Sequence, residues 1–68
     1  MFGFRINTRR EIMTRPITII GDLALWYSRD DSGYYWQDGR GWGDKTSRVY
    51  RTQSEAMLAY DRGTVILH

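Results

Sequence analysis

Apolar and polar positions alternate along most of the chain with the two-residue period of strands, and one segment near the end changes to helical spacing. Ile17-Thr18-Ile19-Ile20 is β-branched throughout and runs directly into Gly21-Asp22, a glycine-first pair that favours a type II′ hairpin turn. Leu23 to Arg29 then reads as a second strand, with Leu23, Leu25 and Tyr27 on one face and Ala24, Trp26 and Ser28 on the other. The alternative is one long strand bulged at Gly21. Asp30-Asp31-Ser32-Gly33 is a turn in which acidic and hydroxyl side chains bond their own backbone and Gly33 takes the left-handed conformation. Tyr34 to Gln37 is expected to return antiparallel to the second strand.

Glycines at 39, 41 and 43 make Asp38 to Asp44 a loop, read as flexible, that carries Trp42. Arg48-Val49-Tyr50 is a short third strand of the meander. Thr52-Gln53-Ser54-Glu55 matches a capping box, so a helix is predicted over Gln53 to Asp61, packed through Ala56, Ala59 and Tyr60 and stopped by Gly63. Thr64 to Leu67 has the composition of a last strand. The predicted fold is α+β: a small antiparallel β-meander of three to five strands with one α-helix packed on one face.

A chain of 68 residues holds one domain with a thin core. Without cysteine it has neither a disulfide nor a thiolate metal cage, so packing must supply stability, to which oligomerisation would add. Trp26, Trp36, Trp42 and the tyrosines at 27, 34, 35, 50 and 60 carry the large apolar areas that such packing needs.

Charge divides the chain. Arg5, Arg9, Arg10 and Arg15 against Glu11 give the first fifteen residues +3, whereas residues 16–68 carry −1. Residues 1–12 read as a basic N-terminal extension, in which Phe2, Phe4 and Ile6 alternate as an edge strand would. Met13 offers an alternative start, and residues 13–68 form the expected domain. A nucleic-acid binder usually carries its basic face on the fold itself, so the charge distribution favours a protein partner. No apolar run approaches the ~20 residues of a membrane span, and a cytoplasmic location is expected.

Most catalytic constellations lack their residues here. Nucleophilic catalysis needs a base held in place, and the one histidine is His68, the last residue, which is expected to be mobile. Asp30 and Asp31 are explained as turn formers. Asp30, Asp31, Asp38 and Asp44 are hard oxygen ligands, yet the order of an EF-hand is absent. Gly39-Arg40-Gly41-Trp42-Gly43 lacks the Lys-Ser/Thr of a phosphate loop. Neither enzyme activity, nor a metal, nor a cofactor is expected.

Aromatic side chains are the remaining candidates. Tyr34 and Trp36 lie on one face of a strand and Tyr35 on the other, so a single helix cannot cover all three. Trp42, Arg40, Trp36, Tyr34, Tyr35 and Arg48 are the candidate partner-binding residues, because tryptophan, tyrosine and arginine dominate interface hot spots.

The order of an aromatic strand, the Asp30-Asp31-Ser32-Gly33 turn, Tyr34-Tyr35-Trp36, the Gly41-Trp42 loop, Arg48-Val49-Tyr50 and a Thr52-capped helix resembles small ββ(β)α proteins of phage and prophage genomes. The resemblance spans roughly Leu23 to Arg62 and rests on order and aromatic placement. It implies a host-takeover or defence inhibitor of the anti-CRISPR kind, acting in the host cytoplasm as a monomer or homodimer on a CRISPR effector or another host complex. No catalytic residues are carried over with it. Two other readings stand beside it: a single-stranded nucleic-acid binder that stacks bases on sheet aromatics, and a homo-oligomeric structural subunit.

Overall fold

The computed structural model describes residues 15–68. The expectations for residues 1–12 and for a start at Met13 lie outside that range. Three strands, β1 (Thr18–Ile20), β2 (Leu23–Ser28) and β3 (Gly33–Gln37), form one antiparallel sheet in the order β1-β2-β3. The helix α1 (Gln53–Asp61) packs on it. Over the described residues the fold is thus α+β, with three strands.

Both hairpins follow from their turn residues. Ile20 pairs with Leu23 around Gly21-Asp22, and Gly21 takes φ +61°, the left-handed first position that a glycine-first turn supplies. In the second hairpin Ser28 pairs with Gly33, and the Ser28 hydroxyl donates to Asp31 Oδ2 (3.0 Å) and accepts from the Asp31 amide (3.3 Å). The left-handed residue there is Ser32, at φ +52°, and not Gly33 as expected. Gly33 is needed for space: a Cβ on it would come within 2.5 Å of the Tyr50 carbonyl oxygen and against the Val49 side chain.

The helix occupies the predicted residues because both of its ends are specified locally. Thr52 Oγ1 accepts from the Glu55 amide (3.1 Å), while Glu55 Oε1 accepts from the amide of Arg51 (3.3 Å). At the other end Gly63, at φ +71°, donates to the Tyr60 carbonyl and the Thr64 amide to that of Ala59, the paired bonds of a Schellman stop.

Register decides which aromatics meet the helix. Thr18, Leu25 and Trp36 lie side by side across the sheet, and Leu25 and Trp36 are fully buried with Tyr50, Ala56 and Ala59 in the core. Trp36 also donates its indole Nε1–H to the Ala56 carbonyl (2.9 Å) and lies 5.3 Å from the Tyr60 ring. Apolar packing and a hydrogen bond thereby fix the helix on the sheet at one residue.

Beyond β3 the chain departs from the expected meander. Tyr34 bridges Tyr50 and Gln37 bridges Thr46, so residues 35–36 face residues 47–49 and one extra residue bulges. Ser47 occupies the gap, its hydroxyl accepting from the Trp36 amide (2.9 Å) and donating to the Arg48 carbonyl (2.7 Å). Arg48-Val49-Tyr50 is therefore a bridged, irregular segment and not the short strand expected. Thr64–Leu67, expected as a last strand, runs without a ladder; only His68 exchanges backbone bonds, with Thr46. Val65 and Leu67 still pack on the core.

Candidate functional site

The face of the sheet opposite α1 holds Ile19, Ala24 and Gln37 in one row, with Trp26 and Tyr35 paired in another. Over it folds the glycine-rich loop, whose residues Gly39, Arg40 and Gly41 make a tight left-handed turn with φ of +61°, +58° and +100°. Two small positions let it approach. A Cβ at Gly41, where φ is +100°, would lie 3.0 Å from Ala24 Cβ and 3.2 Å from Trp26 Nε1.

Hydrogen bonds hold the loop at both ends, correcting the expectation of flexibility. The Arg40 amide donates to the Asp22 carbonyl (2.7 Å) and the Gly39 amide to Asp22 Oδ2 (3.2 Å). Asp38 accepts from Gly41 and Gly43 through its carbonyl, and from the Lys45 amide through Oδ1 (3.1 Å). Gln37 Nε2 adds a bond to the Gly43 carbonyl (2.6 Å). Asp22 and Asp38 thus have structural roles, and among the described residues no group of three or more acidic, His or Cys side chains could hold a metal.

The loop presents Trp42. This residue is 76% exposed, and its ring meets Trp26 edge-on, with centroids 6.1 Å apart and planes at 82°. Trp26 lies beneath, 7% exposed, its Nε1–H buried without an acceptor among the described residues. Arg40, exposed and left-handed at φ +58°, is two residues away in the same loop. Tyr35 is partly buried; burial first, and then the Asp31 charge, push its hydroxyl pKa above the ordinary tyrosine value. Ile19 leaves 42% of its surface exposed on this face, and Ile17, just before β1, leaves the same fraction exposed.

The six candidate residues therefore divide. Trp42, Arg40 and Tyr35 belong to the outer face and its loop. Tyr34 lies on the helix side, edge-on to Tyr27 at 5.1 Å. Arg48 lies beside the helix, its guanidinium 4.1 Å above the Tyr50 ring. Trp36 has no exposed surface and is corrected from contact residue to core, because register places it opposite Leu25 and under α1. Sequence reasoning missed Ile19 and Trp26. The signal was present in the Gly21-Asp22 turn, which sets Ile19 beside Ala24 once the hairpin is closed.

No family model, curated protein or solved structure matches this chain. Among the described residues no helix is long and apolar enough to cross a membrane.

Proposed function

We propose that this chain is a non-catalytic protein-binding module whose contact surface is the outer face of the sheet, centred on Trp42. One observation carries the reading: a tryptophan 76% exposed stands on a loop held by backbone and side-chain bonds from Asp22, Gln37 and Asp38. A pre-ordered aromatic loses little conformational freedom on binding, and interface energy concentrates in such residues. Ile19 extends the apolar area, and Arg40 and Tyr35 supply polar groups at its margin.

The partner we propose is a protein complex of a host cell, and the action that of a phage-type inhibitor of a defence or replication machine in the cytoplasm, of the anti-CRISPR kind. The support is the resemblance in element order, together with a body whose charge of −1 over residues 16–68 does not suit a phosphate backbone. Base stacking on the sheet is the weaker reading, since Trp36 is in the core and Trp26 lies under the loop.

The test compares the parent and Trp42→Ala as baits in a host lysate, with thermal melts of both. A protein retained by the parent and lost with Trp42→Ala, at nearly unchanged stability, supports the proposal. Retention of nucleic acid instead, or a protein bound equally by both baits, overturns it.

A further inference from the structure

A second surface lies on the other side of the sheet, where the irregular segment 48–50 runs beside the helix. A cleft of 290 Å³ opens there, lined by Arg48, Tyr50, Glu55, Leu58, Ala59, Arg62 and Thr64. We propose that this cleft binds one carboxylate of an acidic, apolar-flanked peptide segment of a partner protein, with Arg48 and Arg62 as its cationic walls.

Arg48 is the better-ordered wall. Its guanidinium rests 4.1 Å above the Tyr50 ring, and Nη1 donates to the Val49 carbonyl at 3.4 Å. Stacking on an aromatic face leaves the guanidinium edge available, and that edge matches the two oxygens of a carboxylate. Arg62 stands at the C-cap of α1. Its backbone amide donates to the Leu58 carbonyl, and its side chain is exposed.

Charge around the cleft selects among anions. Glu55 contributes a carboxylate to the lining, and the C-terminal end of a helix carries partial negative charge. Both oppose a phosphate dianion or a polyanion more than they oppose a single carboxylate. The floor is apolar, with Tyr50, Ala59 and the 46%-exposed Leu58, so an aliphatic neighbour of the acid is accommodated. Two guanidiniums, one exposed carboxylate at the rim and an apolar floor together fit Asp or Glu beside a hydrophobic residue.

The experiment is an amide NMR titration of the full chain with acetyl-Leu-Glu-Leu-amide, its Gln counterpart and oligothymidylate. Saturable shifts confined to the amides of Arg48, Tyr50, Leu58, Arg62 and Thr64 are expected with the acidic peptide alone. Arg62→Gln and Arg48→Gln, each checked by an otherwise unchanged spectrum, should weaken binding about tenfold, as loss of a charged hydrogen bond does. An equal response to the Gln peptide, absence of saturable shifts at these amides, or stronger binding of oligothymidylate there would overturn the proposal.

Discussion

Replacing Gly41 by alanine tests whether the loop is seated on the sheet by close contact. The new methyl would lie 3.0 Å from Ala24 Cβ and 3.2 Å from Trp26 Nε1, on a backbone at φ +100°. Gly63 is the control: it too is left-handed, at φ +71°, but has nothing within 4 Å of an added Cβ. Alanine at Gly63 should cost only the backbone strain, about 1–2 kcal/mol. At Gly41 the unfavourable φ costs about 1–3 kcal/mol, and crowding against Ala24 and Trp26 adds about 1–3 kcal/mol more. Alanine restricts the unfolded chain alike at both positions, so that offset cancels in the comparison. Urea unfolding monitored by tryptophan fluorescence should therefore show Gly41→Ala less stable than Gly63→Ala by about 1–3 kcal/mol. Equal losses for the two variants would refute the reading that the loop is packed on the sheet.

Trp36→Ala, which removes the largest fully buried side chain, should cost about 3–5 kcal/mol in the same assay. Trp42→Ala should cost about 1.5 kcal/mol or less, because the residue is 76% exposed; a loss as large as that of Trp36→Ala would make Trp42 a core residue. Thr52→Ala should lower stability by about 1 kcal/mol through the lost cap, visible as reduced helical circular dichroism on heating. Tyr35 has its pKa raised above the ordinary 10.0, so the folded state favours the neutral phenol. That contribution is intact below pH 10.0 and is lost as pH rises through the folded-state value. Melting temperature should fall across this alkaline range, and Tyr35→Phe should flatten the fall; an identical profile in the variant would exclude Tyr35 as the source.

Elements set by neighbouring residues were legible in the sequence. The helix bounds could be read because Thr52, Glu55 and Gly63 act within one turn of the ends they define, and the Gly21-Asp22 hairpin for the same reason. Contacts between distant segments were not. Tyr34, Tyr35 and Trp36 alternate faces from sequence alone, but which face meets the helix depends on where residues 46–52 carry the chain. The bulge opposite residues 35–36 depends on Ser47 reaching the Trp36 amide, a contact with no local signature. Of the site, Trp42 and Arg40 were legible as loop residues between glycines. Their support by Asp22, sixteen residues before the loop closes at Asp38, required the folded chain.

The extra residue opposite Tyr35 and Trp36 also bears on behaviour at high concentration. A sheet margin with evenly spaced amides and carbonyls is a template on which another chain can add a strand. Along β3 that margin is covered by residues 46–50, bridged at Tyr34 and Gln37, with the Ser47 amide bonded to the Trp36 carbonyl and the register out of step between the two bridges. The Ser47 hydroxyl takes up the Trp36 amide that a regular ladder would have offered to a carbonyl. Cover by this irregular segment, which Ser47 ties to Trp36, thus takes the β3 margin of a small, aromatic-rich sheet out of reach of a regular added strand.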